Sequence, residues 1–373
     1  MIRFTDILIS LCIMHICYNG LMQDDGMHYN VSRLDGYDKD LNFIISPRSD
    51  GKTTQILGKV ARAWAKDQSP TILICRNNVD ITEQYIDTTL DIIDACAGHP
   101  LGSKHAKVSD KGAAVLDCTI DGKILIRFVS LSQKLRNLKG VFLKNLALVI
   151  FDEFIINTRL GEKYLTDEAF KFQEAYTTYR RECARPRLKC YFMGNAYSLY
   201  NPHLINLGVD CSKLRKPGII VGANYAVERH MLDPRLKEIL KKQNPFFVDE
   251  DNLYAKYALD GMPINDANIR IMPTCPQNYV LQYIFSIDNK FIGAYESAEW
   301  NSDLRYWIGY VDRVGSRKDV YAFDFKDLVD RSRLIGPNER NALSRLRCAI
   351  RNRQVAFEGL ECDYAIEEIF NQL

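Results

Sequence analysis

The sequence predicts an α/β chain: a parallel sheet flanked by helices and centred on a phosphate-binding loop, then a smaller α+β domain. Three observations carry this reading. An apolar run, Phe43-Ile44-Ile45, breaks into a polar turn ending Gly51-Lys52-Thr53, and a helical pattern follows. A second apolar run, Leu146 to Phe151, leads directly into the adjacent carboxylates of Asp152 and Glu153. From Gln277 onward the pattern changes to short strand-like runs joined by turns, with two helices at the end.

Length and composition set the frame. The 373 residues suffice for two domains. With 47% hydrophobic and 26% charged residues, the composition is that of an ordinary globular protein. A net charge of +2 gives the whole chain no pull toward nucleic acid or a membrane. The 11 cysteines are scattered singly, with no CxxC pair and no metal-ligand spacing against histidine, so reduced buried thiols are expected rather than zinc. Ile7 to Cys17 is apolar, but it is too short to span a bilayer and no small-residue cleavage site follows. Residues 1–26 are read as an N-terminal extension, with Met22 and Met27 as alternative starts.

The first domain is expected over residues 27–210. Tyr29, Asn30 and Tyr37 precede the first strand, either as base contacts or as surface aromatics. After Thr53, the positions Ile56, Val60, Ala61 and Trp64 share one helical face, and Ser69-Pro70 ends the helix. Thr71 to Cys75 is a buried strand closed by Arg76, so strand–helix–strand repeats as a parallel sheet requires. Ile81 to Ala97 reads as a helix, and Gly98 to Gly112 as a loop. Val115–Thr119 and Lys123–Val129 read as a hairpin turning at Asp121-Gly122. A basic segment with Lys134, Arg136 and Lys139 leads to the strand ending at Asp152. Residues 162–182 read as a charged helix, and Leu188 to Met193 as the next strand. Prolines and glycines punctuate residues 211–275, which are read as a linker or lid with one helix over Pro234–Lys242. The second domain covers 276–373, with strands at Tyr279–Ile287, Phe291–Ser297, Trp307–Arg313 and Val320–Phe323. Its stretch 313–353 holds eleven Lys/Arg against five Asp/Glu, and on a helix Arg340, Arg347 and Arg351 would share a face suited to a polyanion.

The chemistry follows from the two motifs. Strand, turn, Gly-Lys-Thr and helix is the P-loop order, in which backbone N–H groups from Arg48, Ser49, Asp50 and Gly51 through Thr54 point at phosphates. Lys52 supplies a point charge, and the Thr53 hydroxyl can ligate Mg²⁺. Ser46 stands where the motif has its first glycine. Carboxylates at the end of a buried strand are costly unless they emerge at its C-terminal edge and meet a cation. Asp152 would serve Mg²⁺, and Glu153 would orient and deprotonate an attacking water. Asn195, at the end of the following strand, is the candidate polar sensor. An arginine among 180–187 could supply a finger to a neighbouring subunit.

In this order the motifs resemble the DNA-encapsidation ATPases of small tailed bacteriophages, the compact branch of the terminase large-subunit family. The resemblance runs through His28-Tyr29-Asn30, LNFIISPRSDGKTT, LALVIFDEFI, CYFMGNAYSLYNPH (190–203), YIFSIDNKFIGAY (283–295) and the C-terminal helices. It implies a RecA-like P-loop ATPase domain, then an RNase H-like domain without a nuclease site. It also implies ATP and Mg²⁺ as cofactors and a homomeric ring, usually of five subunits. Such a ring drives double-stranded DNA through the portal vertex of a procapsid. The work is done in the host cytoplasm, by a subunit attached only transiently and not kept in the virion. By position, Arg48 and Lys52 would contact phosphates, Glu153 would be the catalytic carboxylate, and Lys139 would act across the subunit interface. Arg180 best matches the trans-acting finger, but the loop is longer than the family's and Arg181 and Arg185 stay open. Among carboxylates a nuclease would need, Asp288, Glu296 and Asp312 form no convincing triad; the domain would bind the vertex, DNA or a structural RNA. The competing reading is a helicase or repair ATPase, which would normally carry a second RecA-like domain. A nucleotide-regulated binding module would not need Glu153.

Overall fold

The computed structural model describes residues 26–366 except 250–251, 265–268, 288–289, 300–302, 313, 315–319, 323–324, 331 and 360. The expected N-terminal extension, up to residue 25, and Asp288 lie outside the described residues. The chain divides into two compact units, one ending at Ile264 and the other starting at Asn265.

The first unit is built on β1 (Leu41–Ser46), β2 (Thr71–Cys75), β3 (Val115–Ile120), β4 (Lys123–Ser130), β5 (Leu148–Asp152), β6 (Lys189–Asn195), β7 (Gly218–Val221) and β8 (Tyr225–Arg229). They form one sheet in the order β3-β4-β2-β5-β6-β1-β8-β7. The six strands β4, β2, β5, β6, β1 and β8 run parallel, with antiparallel hairpin partners β3 and β7 at the edges. Unbroken apolar runs such as Thr71–Cys75 are what a strand covered on both faces needs, and all five of its residues are buried. The β3–β4 turn places Asp121 and Gly122 at φ 49° and 76°, the left-handed pair that matches the twist of a two-residue hairpin.

Helices pack on the sheet through the faces that the periodicity predicts. α1 is Ser32–Asp35 and α2 is Lys52–Asp67, whose buried stripe is Ile56, Leu57, Val60, Ala61 and Trp64. α3 (Glu83–Ala97) is capped by Thr82, whose hydroxyl accepts from the Tyr85 N–H, and stops at Gly98 in the left-handed region. α4 (Leu135–Gly140), α5 (Glu168–Glu182) and α6 (Pro202–Asn206) follow.

Residues 211–264 correct the expected linker or lid: they complete the first unit. β8 pairs in parallel with β1, from Leu41↔Tyr225 to Ile45↔Arg229, and Ala226 and Val227 are fully buried. The prolines misled the reading because they stand at element starts, not in a disordered connection. Pro217 precedes β7, and Pro234 opens α7 (Pro234–Gln243) with Asp233 as its N-cap. Strands this short carry too few residues for a period to register. α8 (Leu253–Asp260) ends the unit.

The second unit is a seven-stranded mixed sheet with helices. Its strands are β9 (Arg270–Ile271), β10 (Tyr279–Ile287), β11 (Lys290–Ser297), β12 (Tyr306–Tyr310), β13 (Val320–Ala322), β14 (Ser332–Leu334) and β15 (Val355–Phe357). The order is β14-β13-β10-β11-β12-β15-β9, with β10–β11 and β11–β12 antiparallel as the short turns require. The three arginines expected on one helical face are carried by two consecutive helices. The helix breaks at Leu343, giving α9 (Pro337–Ala342) and α10 (Ser344–Arg351). Leu343 and Leu346 are buried in the core at 1% and 0% exposure. Arg340 sits on α9, and Arg347 and Arg351 on α10; Arg340 and Arg351 are exposed and Arg347 is half-buried.

Candidate active site

The P-loop sits at the C-terminal end of β1, the position at which open α/β sheets bind ligands. Ser46 is the last residue of β1 and fully buried, opposite Asn195 in the register with β6. It is not among the positive-φ residues, so serine replaces the motif's glycine without backbone strain. The left-handed positions are Ser49 at φ 60° and Gly51 at φ 89°. Gly51 is the N-cap of α2, and a Cβ there would approach the His28 ring to 3.3 Å. The loop thus ends on a helix N-terminus whose first N–H groups are free for an anion. The Asp50 carbonyl accepts from the Tyr29 N–H at 2.8 Å, which ties the loop to the preceding segment.

Lys52, Asp152 and Asn195 converge at this edge. The Lys52 ammonium donates to Asn195 Oδ1 at 2.8 Å and to the Pro47 carbonyl at 3.3 Å. Burial lowers its pKa, against the pull of Asp50 and Asp152. Asp152 Oδ2 accepts from the Tyr85 hydroxyl at 2.7 Å, and Oδ1 accepts from the Glu153 N–H at 3.0 Å. Burial raises the Asp152 carboxyl although Tyr85 and Lys52 oppose it. Both groups are pushed toward neutrality, the ammonium down and the carboxyl up. This donor set fits a phosphate on Lys52 and the α2 N-terminus, and a hard cation on Asp152 and on Thr53 in the first turn of α2. Thr53 and Thr54 are half-buried. Glu153 sits at φ 52°, an uncommon conformation for a residue with a Cβ; although the residue is exposed, partial desolvation by surrounding groups, then Asp152 and Glu162, raise its carboxyl.

A buried network fixes this strained corner. Arg76 closes β2, is 8% exposed, and donates through Nε and Nη2 to both oxygens of Glu168 at 2.8 and 3.1 Å. Its Nη2 also donates to the Phe154 carbonyl at 3.0 Å, on the residue after Glu153. His203 Nε2 stands 3.1 Å from Glu168 Oε1, and the Leu165 N–H donates to Glu168 Oε2 at 2.9 Å. Burial alone would raise the Glu168 carboxyl, but His203 and Arg76 outweigh it and hold it below its ordinary value. Removing one partner of such a buried pair costs about 3–5 kcal/mol. Gly194 completes the packing, since a Cβ there would meet the Phe154 ring at 2.8 Å. Sequence reasoning missed Arg76, Glu168 and His203 as a unit. The signal was present in Arg76, a cation closing an apolar run, but its partner Glu168 lies 92 residues away.

Three sequence-predicted residues have partners outside the Lys52, Asp152 and Asn195 group, although the Arg48 charge still acts on Lys52 and Glu153. Arg48 points at two tyrosines: Nε donates to the Tyr257 hydroxyl at 3.2 Å and Nη2 to Tyr197 at 2.5 Å, and the two rings stack 4.7 Å apart. Lys139, on α4, pairs with Glu174 of α5 at 2.5 Å. Arg180, in the last turn of α5, donates to the Arg185 carbonyl at 3.5 Å and to the Pro186 carbonyl. The whole arginine loop lies at the opposite edge of the sheet. Arg185 binds Asp67 at 2.6 Å, at the far end of the 16-residue α2. That places it about 24 Å from the loop at which α2 begins. Arg187 pairs with Asp38 and Asp40, just before β1 starts. No arginine of this loop reaches the phosphate loop of its own chain.

Among the described residues no helix is long and apolar enough to cross a membrane. The chain is 23% identical over 357 residues to the DNA packaging proteins of Bacillus phages PZA and phi29, covering 94% of this chain and 99% of each relative. Two solved structures share its fold. The phi28 gp11 DNA packaging motor superposes with a TM-score of 0.63 at 16% identity, over 92% of this chain and 98% of that one. The bacteriophage phi29 viral genome packaging motor assembly gives 0.61 at 18% identity, over 93% and 99%. The description "Podovirus DNA encapsidation protein (Gp16)" matches residues 23–373, nearly the full length, and the chain belongs to that family.

Proposed function

We propose that this DNA-encapsidation protein is the ATP-hydrolysing subunit of a ring-shaped motor that drives double-stranded DNA into a procapsid. The observation that carries the proposal is the convergence of the Lys52 ammonium, Asn195 and the Asp152-Glu153 pair at one sheet edge around a helix N-terminus. The relatives named as packaging proteins and motors support the destination of the work, and the site supports its energy source.

Each residue has a distinct part. The N–H groups around Gly51 to Thr54 and the Lys52 ammonium hold the β- and γ-phosphates. Asp152 and Thr53 hold Mg²⁺, which when bound offsets negative charge on the phosphates. Glu153 accepts a proton from the attacking water, and its raised pKa makes it a stronger base than an ordinary carboxylate. Asn195 links Lys52 to the end of β6 and senses whether the γ-phosphate is present. Arg180 serves the neighbouring subunit's site, with Arg181 and Arg185 as alternates, and Lys139 acts at the same interface. The second unit serves as a nuclease-like domain without catalysis. Glu296, one of its three candidate carboxylates, is ion-paired with Arg305 at 3.3 Å. Arg340, Arg347 and Arg351 offer that domain's cationic contacts to DNA, the vertex or a structural RNA. The motor works in the host cytoplasm on the procapsid and leaves when packaging ends.

The test is phosphate release from ATP by the purified chain. It should require Mg²⁺ and rise when double-stranded DNA and procapsids are added together. Hydrolysis indifferent to both would remove the packaging assignment while leaving an ATPase.

A further inference from the structure

We propose that Asp50 and His230 share a single proton, and that this pair sets how strongly the loop holds a triphosphate. The inference rests on the nucleotide-site reading above and assigns the pair a positioning role.

The starting observation is a buried carboxylate. Asp50 is 0% exposed, and neither of its oxygens has a partner in good hydrogen-bonding geometry, the nearby Ser46 hydroxyl donating instead to the Pro47 carbonyl at 3.3 Å. Such a group is costly to keep ionised, so it is either protonated or paired. His230 Nε2 stands 3.6 Å from Asp50 Oδ1, beyond hydrogen-bonding distance. On its other side, His230 Nδ1 lies 3.9 Å from Glu228 Oε1, and its ring meets Tyr29 edge-on at 5.3 Å. Glu228 accepts from the Tyr29 hydroxyl at 3.0 Å and faces Arg33 at 3.5 Å. The charged and titratable groups acting on the pair are Lys52 in the loop, His28 and Tyr29 before it, Arg33 on α1, and Glu228 on β8. Burial pushes Asp50 up to about 7, against Lys52, Ser46 and His28, while burial and Arg33 lower His230. At 3.6 Å a charge on either ring or carboxyl would bear directly on the other, so the two groups would hold one proton between them.

The consequence follows from charge. The N–H groups beside Asp50 are the ones that meet phosphate, so a carboxylate under them repels a triphosphate and a carboxylic acid does not. Binding therefore draws a proton onto the pair. Affinity should fall by up to about tenfold per pH unit once that proton is lost.

The experiment measures binding of a fluorescent ATP analogue across neutral pH for wild type and Asp50→Asn. Titration of the nucleotide itself is common to both proteins and cancels. Wild type should weaken as pH rises above neutral, whereas Asp50→Asn should stay flat and bind more tightly at alkaline pH. Calorimetry in two buffers of different ionisation enthalpy should report close to one proton taken up by wild type and none by the variant. The nucleotide-free chain gives a further readout. An acid whose pKa is raised on folding makes stability fall as pH climbs from its unfolded to its folded pKa. The Tm of wild type should therefore drop relative to Asp50→Asn between acid and neutral pH. Should Asp50→Asn not fold, His230→Gln should instead move the wild-type binding midpoint to lower pH, because the proton then has one site instead of two. Equal pH profiles with equal proton uptake would overturn the pair alone. No binding by either protein at any pH would overturn the nucleotide site, and the pair's role with it.

Discussion

Glu153→Gln should bind ATP as wild type does and hydrolyse it at least about 10²-fold more slowly. The substitution keeps the size and hydrogen-bonding reach of the side chain but removes its basicity. Nothing that holds phosphate is touched: Lys52 keeps Asn195 and Pro47, and Asp152 keeps Tyr85. The strained φ of 52° is enforced by the Phe154 carbonyl gripped by Arg76, so the backbone should not relax. A pH signature accompanies the loss. Partial desolvation and Asp152 raise the Glu153 carboxyl, and a base works only when ionised. Wild-type turnover should therefore decline as pH falls through a midpoint above the ordinary carboxylate range, and the variant should lack that limb. Unchanged hydrolysis by Glu153→Gln would assign the base elsewhere.

Arg180→Ala should lower turnover by about 10³-fold or more, the scale of other arginine fingers, while leaving the fold intact. Among the described residues its guanidinium donates to the Arg185 and Pro186 carbonyls, and α5 stays anchored through Phe172 and Tyr179 in the core. The intrachain distance from this loop to the phosphate site argues that the effect is delivered to another copy. Lys52→Ala should be inactive for the opposite reason, because its own site would lack the ammonium that holds phosphate. Mixed together, the two variants create interfaces at which an intact Lys52 site faces an intact Arg180. Hydrolysis should reappear in the mixture, with a maximum at intermediate ratios. No rescue at any ratio would count against action in trans.

Where one residue type had to sit at one place, the sequence was enough to read it. Buried runs ending in Asp152 and Asn195, and Gly51-Lys52-Thr53 before a helix, could stand only at the C-terminal edge of a parallel sheet. The hairpin at Asp121-Gly122 was legible because both residues tolerate positive φ. Contacts between distant residues were not legible. Arg76, Glu168 and His203 come from separate elements that only the fold brings together. Asp50 reads as a loop residue next to phosphate, yet its side chain is fully buried. The hydrogen bonds from Arg48 to Tyr197 and Tyr257 join residues 149 and 209 positions distant in the chain, so no local pattern announces them. Strands β7 and β8 were hidden because four or five residues between prolines and glycines carry no measurable period.

The central claim is that hydrolysis at the Lys52, Asp152 and Glu153 site moves DNA. The most direct measurement is the amount of DNA made resistant to DNase when the chain, ATP, Mg²⁺, procapsids and double-stranded DNA are combined, in parallel with phosphate release. Protected DNA should accumulate in proportion to ATP consumed, and both should vanish together with Glu153→Gln. DNA protected at the wild-type rate by the hydrolysis-dead variant would contradict the account.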